Sequence, residues 1–261
     1  MNRLKSLALS ATIGALGATA QADTFVIVHG AFQTADSWSA VAHALRANGH
    51  TAIAVDLPGR NAEGDAAKAV TLAQYVQTVQ DVVEEQAEPV VLVGHSFGGI
   101  TISLVAEAMP EKISKLIYIA AYVPTAGDSM QTLAGSDKDN GFTAESFVIA
   151  PDYAFVTILP ADQARLFIND GTLEQQASVT SAMVREPLGP IGTPVEVTAE
   201  NFGVVTKAYV LTALDATVSP TIQNMMIERA GITETETLET GHSPQASQPK
   251  QLAGALIALL Q

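Results

Sequence analysis

Apolar residues along this chain follow two rhythms. Short runs rich in branched and aromatic residues, most of them nearly continuous in apolar character, occupy 25–29, 51–56, 90–94, 116–122, 208–215 and 234–238. Between them, apolar positions recur at three- and four-residue steps over 37–48, 72–86, 97–109, 221–230 and from Gln248 onward, where Leu252, Ala255, Leu256, Leu259 and Leu260 mark one face. Continuous apolar runs suit parallel strands buried on both sides, and the longer steps suit helices with one buried stripe. Strand and helix alternate, which predicts an α/β fold: a doubly wound, mostly parallel sheet of six strands. The last run, "ITETETLET", alternates threonine with glutamate or an apolar residue and fits an edge strand with one wet face.

The alternation lapses once. The interval from Tyr122 to Ala208 is too long for a single crossover. It holds helical stretches broken by "NDG" and a Pro/Gly-rich "EPLGPIGTP". This predicts a helical cap over 124–205, inserted above the carboxyl ends of the strands, with the core formed by 23–123 and 206–261. Phe147, Phe155, Leu159 and Leu166 are candidates for a pocket wall, and stronger candidates for the core of the cap.

The first residues form a separate pattern. Arg3 and Lys5 precede an apolar stretch over 6–20, followed by Ala20-Gln21-Ala22. A basic start, a short apolar run and an A-x-A site predict a signal peptide over 1–22, cut before Asp23 or, alternatively, after Ala20. The destination is the periplasm or the medium. The run is shorter than the ~20 residues that cross a bilayer, so no membrane association is expected after cleavage. There is no cysteine, which removes lipid anchoring, disulfides and thiol chemistry. A formal charge of −14 repels phosphate backbones, so nucleic acid is not an expected partner.

Candidate chemistry centres on "VVLVGHSFGGITISL". Gly94-His95-Ser96-Phe97-Gly98 fits G-x-S-x-G, with an apolar strand before it and an apolar helix after it. That context points to a nucleophile elbow carrying Ser96. A serine hydroxyl needs a base, and the base needs an orienting carboxylate. Of five histidines, His29 and His95 lie inside the two site motifs and suit packing roles. His43 falls in a helix and His50 in a turn. His242 follows the last strand, where the order serine, acid, histidine places the base. Asp215, at the end of its apolar run, is the candidate acid, with Asp128 as the rival position. Backbone N–H groups of Phe97 and of Ala31, in "VHGAF" after the first strand, are candidate oxyanion donors. Gly30 and Phe32 beside them, and Ser243 beside His242, are candidate pocket residues. The chain has no H-E-x-x-H, no P-loop and no G-x-G-x-x-G after a strand, so no metal or organic cofactor is implied.

On these motifs the chain resembles the α/β-hydrolase fold, and within it the group of plant methylesterases, hydroxynitrile lyases and their bacterial esterase relatives. "FVIVHGAFQTADSW", "AVDLPGR", "LVGHSFGG", "AYVPTAGDS", "YVLTALDATVSPTIQNMMIE" and "TGHSPQASQP" carry the likeness, in order, from Phe25 to Leu260. The resemblance implies a triad of Ser96, Asp215 and His242, an oxyanion hole from Ala31 and Phe97, and a small-molecule ester as substrate, in a monomer or homodimer. It also allows cyanohydrin cleavage, but the lyases carry a threonine and a lysine where this chain has Gly30 and Ser243. A ligand-binding protein that retains the triad is the third class open to such a fold.

Overall fold

The computed structural model describes residues 22–261, so the leader read over 1–22 lies, but for Ala22, outside the described residues. Six strands, β1 (Thr24–Val28), β2 (Thr51–Val55), β3 (Val90–His95), β4 (Ile113–Ile119), β8 (Lys207–Thr212) and β9 (Glu234–Leu238), form a wholly parallel sheet in the order β2-β1-β3-β4-β8-β9. Side chains alternate across it, as a period of two requires. Phe25, Ile27, Val91, Val93, Ile117 and Ile119 enter one core with Trp38, Leu45, Leu252 and Leu256. Val26, Val28, Leu92, Leu116 and Tyr118 enter the other with Tyr75, Ile100 and Met226. The first core sits under helices α1 (Ser39–Ala47) and α11 (Pro249–Ala258), the second under α3 (Leu72–Glu84), α4 (Gly98–Ala108) and α9 (Pro220–Arg229). Burial on both faces is why the strands read as unbroken apolar runs. The exception is β9 at the edge, which alternates exposed and half-buried positions before Leu238.

Strand ends depart from the sequence reading at two places that matter for the site. The run 116–122 stops being strand at Ile119, because Ala120 takes φ +45 and turns the chain away from the ladder. Tyr209 Oη fixes that corner, bonding both the N–H and the carbonyl of Ala121 at 2.8 and 2.9 Å. The run 208–215 ends as strand at Thr212, so Asp215 lies three residues beyond it, in a turn. A short helix α2 (Gly64–Lys68) and α10 (Pro244–Ser247) complete the core.

Between β4 and β8 the chain forms α5 (Met130–Ser136), α6 (Pro160–Phe167), α7 (Leu173–Ala182) and α8 (Leu188–Gly192). It also forms a small antiparallel sheet, β5-β6-β7, from Phe147–Ile149, Phe155–Ile158 and Glu186–Pro187. The segment is therefore mixed rather than helical as read from the sequence; strands of two to four residues are too short to display alternation. The "NDG" break falls between α6 and α7.

The start of α4 packs against the sheet's backbone with no room for a side chain. A Cβ on Gly98 would stand 2.5 Å from the Val28 carbonyl oxygen and 2.8 Å from that of His29, and one on Gly99 would meet the Tyr122 carbonyl. By contrast, Gly254, exposed inside α11, has nothing within 4 Å of such an atom. Gly98→Ala is expected to destabilise the protein by about 3 kcal/mol through overpacking against backbone. Gly254→Ala is expected to stabilise it by about 0.5–1 kcal/mol through helix propensity. Urea unfolding of the two variants reads both signs.

Candidate active site

Ser96 follows β3 directly and has φ +52, a left-handed conformation that costs a non-glycine residue about 1–3 kcal/mol. Its own backbone is fully engaged: its N–H donates to the Ile119 carbonyl, and its carbonyl accepts from Gly99 and Tyr122, all at 3.1 Å. The turn thereby lifts the Ser96 side chain off the carboxyl end of the sheet.

His242 lies in the turn between β9 and α10, 1 % exposed. The Ser96 hydroxyl stands 3.0 Å from its Nε2, and its Nδ1–H donates to Asp215 Oδ2 at 2.8 Å. Asp215 is saturated on every side: Oδ2 also accepts from Thr212 Oγ1 at 2.9 Å, and Oδ1 accepts from the N–H groups of Thr217 and Val218 at 2.7 and 2.9 Å. A carboxylate so surrounded cannot rotate away from the imidazole. Asp128, the rival position, instead pairs with Arg229 at 2.9 Å and closes a local turn through Thr125.

Beside Ser96, the N–H groups of Ala31 and Phe97 make no hydrogen bond to the described residues. The Ala31 group has an evident orienting device. His29 Nε2 accepts from Leu57 N–H at 3.1 Å, which puts its proton on Nδ1, and Nδ1–H donates to the Gly30 carbonyl at 2.9 Å. In a planar trans peptide the carbonyl and the next N–H point opposite ways, so anchoring Gly30 C=O aims Ala31 N–H the other way. His95 serves the base in the same manner, its Nε2–H donating to the His242 carbonyl at 2.8 Å with the two rings 4.7 Å apart.

A cavity of about 580 Å³ opens above Ser96. Its floor includes Ala31, Phe32 and Ser96, and its apolar walls include Met130, Phe142, Phe147, Phe167, Leu188 and Ile191. Of the four cap residues read as wall candidates, Phe147 lines it and Phe155, Leu159 and Leu166 do not. Leu166 is fully buried, and the Phe155 ring lies under the Arg185 guanidinium. Two further expectations are corrected. Gly30, read as a pocket residue, is absent from the cavity lining and packs against the elbow: a Cβ there would be 2.8 Å from Ser96 Cβ and 2.9 Å from His95 Nδ1. Ser243 is fully buried and absent from the cavity lining. Among the described residues, no three histidine, aspartate or glutamate side chains converge as metal ligands would.

The sequence profile of the alpha/beta hydrolase family matches residues 25–255. The chain belongs to that family. Similar proteins include Esterase PIR7B of Oryza sativa subsp. japonica, 26 % identical over 90 % of this chain and 94 % of its own length. Methyl jasmonate esterase 1 of Vitis vinifera is also 26 % identical, over 91 % of this chain and 96 % of its own. Among solved structures, polyneuridine aldehyde esterase superposes with a TM-score of 0.82 at 22 % identity, over 92 % of this chain and all of that one, a likeness of fold.

In this alpha/beta hydrolase the sequence reading gave His29 and His95 to packing and so missed their bonds to the two site loops. Their positions beside Gly30 and Ser96 were the available signal. Burial and the Arg60 charge lower His29 to about 3, against the opposing bond to Gly30. Burial, with the neighbouring His242, holds His95 well below the ordinary histidine range. Both are neutral in the native state, whereas in the unfolded chain both take up a proton below their ordinary value of 6.5. The unfolded state then binds more protons, so stability falls as pH drops below about 6.5, for His29 down to about 3. With two groups the limiting slope is about 2.7 kcal/mol per pH unit, and urea unfolding at pH 7.5, 6 and 5 is expected to show the loss. Replacing His29 by Gln is expected to flatten the dependence by one proton.

Proposed function

We propose that this protein is a serine esterase that hydrolyses small carboxylic esters through an acyl-enzyme. The observation that carries the reading is one unbroken chain of hydrogen bonds, Asp215 to His242 to Ser96, under a cavity that Ser96 and Ala31 line. Ser96 Oγ attacks the ester carbonyl while His242 Nε2 takes its proton, Asp215 stabilising the imidazolium. The oxygen that becomes negative is received by the Ala31 and Phe97 N–H groups. Collapse of the adduct breaks the bond to the alcohol, which leaves with the proton from His242. Water, deprotonated by the same Nε2, then attacks the acyl carbon and restores Ser96. The esterase names of the relatives favour ester bonds as the target, and the apolar walls favour an uncharged ester.

Ser96→Ala is expected to lower turnover of a p-nitrophenyl ester by at least about 10⁴-fold, and a fluorophosphonate is expected to label Ser96 in the folded protein. Retained activity in the variant would sink the mechanism; failure to label the wild type would favour a ligand-binding protein. Cyanohydrin cleavage needs a cation for the departing cyanide. Ser243 is neutral and buried, and no lysine or arginine lines the cavity. Acyl transfer is therefore favoured, and mandelonitrile is expected to release no cyanide beyond the uncatalysed rate.

We further infer export, from the basic, apolar and A-x-A pattern of the first residues. None of the helices among the described residues is long and apolar enough to cross a membrane. Protein recovered from the periplasm or medium is expected to begin at Asp23, as read by N-terminal sequencing; an intact Met1 start would remove the inference.

A further inference from the structure

Glu186, in β7, is completely buried, 0 % exposed, yet lies far in sequence from every group it touches. Its Oε2 accepts from the backbone N–H of Phe32 at 3.1 Å and pairs with Arg60 Nη1; its Oε1 accepts from Tyr75 Oη at 2.9 Å. Four separate elements thus meet on one carboxylate: the cap, the loop after β1, the loop after β2, and α3. Arg60 is nearly as buried and stacks over the Tyr75 ring at 5.2 Å. Its Nε and Nη2 are buried without partners among the described residues, so Glu186 alone neutralises it.

The backbone that Glu186 holds is unusual. Phe32 has φ +62, a conformation that a phenylalanine keeps only when its peptide groups are captured. Both are captured by the cap: Glu186 takes the N–H, and Val184 N–H donates to the Phe32 carbonyl at 3.0 Å. On the other side of Ala31, His29 holds the Gly30 carbonyl. Ala31 is therefore pinned at both of its peptide planes, one from the core and one from the cap.

We propose that Glu186 is a positioning residue for the oxyanion hole, coupling the seating of the cap to the aim of the Ala31 N–H. Its useful part is the acceptor it offers to Phe32; the charge is tolerated because Arg60 answers it. The proposal rests on the esterase reading. It assigns to the cap a share in transition-state stabilisation in addition to forming the cavity walls.

Replacing Glu186 alone would leave Arg60 as an unpaired buried cation, so the test removes both charges. In R60M/E186Q the amide oxygen still accepts from Phe32 N–H. In R60M/E186L a side chain of similar volume offers no acceptor. The expected result on a p-nitrophenyl ester is kcat within about threefold of wild type for the glutamine variant. For the leucine variant it is a kcat lower by about 100-fold, the scale of a misaimed oxyanion donor, with KM changed less than about threefold. Affinity for a trifluoromethyl ketone, which forms a tetrahedral adduct, is expected to fall with kcat. Thermal unfolding confirms that both chains are folded, and R60M/E186A, which removes the acceptor without crowding, stands in if the leucine variant does not fold. Equal kcat in the folded glutamine variant and the acceptor-free variant, at whatever level, overturns the proposal. A wild type that hydrolyses no ester and leaves Ser96 unlabelled overturns the esterase reading instead.

Discussion

A serine in the left-handed region at the end of a buried strand is the constraint on which the rest of this molecule depends. The strain at Ser96 persists because three backbone hydrogen bonds leave it no alternative, and they come from the end of β4, the corner after it and the first turn of α4. To supply Ile119 and Tyr122 at the right places, the chain after β4 must itself turn through a left-handed Ala120, and Tyr209 must reach from β8 to close that corner. To bring α4 close enough, positions 98 and 99 must lack side chains. One uncomfortable residue thus dictates strand length, glycine placement and a buried tyrosine two strands away.

Around this point the interior is arranged so that neutral donors and acceptors do most of the positioning. His29 and His95 each use one ring N–H to hold one carbonyl, and burial keeps both uncharged. Asp215 is a charged exception, and its carboxylate is satisfied by two N–H groups, a hydroxyl and His242. Another is the Glu186–Arg60 pair, whose desolvation is offset only by close contact and by the Tyr75 and Phe32 bonds. Burial pushes the Glu186 carboxyl up, and the Arg60 charge pulls it back.

Much of this was legible in the chain because local signals and global role coincide there. Apolar runs marked five of the six core strands, and the glycines around Ser96, with a strand before and a helix after, marked the elbow. His242 was legible from chain order. What could not be read was settled by contacts distant in sequence. Asp215 and Asp128 both follow apolar runs, and only the fold shows that one meets His242 while the other meets Arg229. Ala120 to Tyr122 are as apolar as the strand before them, so the end of β4 was hidden. Gly30 and Ser243 were placed in the pocket by adjacency in sequence, although the side chains that face the cavity come mainly from the cap. Glu186 passed as the start of a Pro/Gly-rich loop, because the burial of a carboxylate is decided by the arginine, tyrosine and peptide N–H that surround it.

The parallel connectivity has a kinetic consequence. The Ala31 N–H follows β1, Ser96 and the Phe97 N–H follow β3, Asp215 follows β8 and His242 follows β9, so the site draws on nearly the whole length of the chain. Parallel strands cannot pair as local hairpins; every pairing closes a long loop, which makes such a sheet slow to assemble. His242 can reach Ser96 only after β9 has docked on β8 at the outer edge. A chain without that docked edge can therefore already hold Ser96 and the Ala31 and Phe97 N–H groups while lacking His242. On the proposed mechanism chemical competence requires this edge strand, so appearance of turnover during refolding times the closure of that edge rather than the collapse of the core.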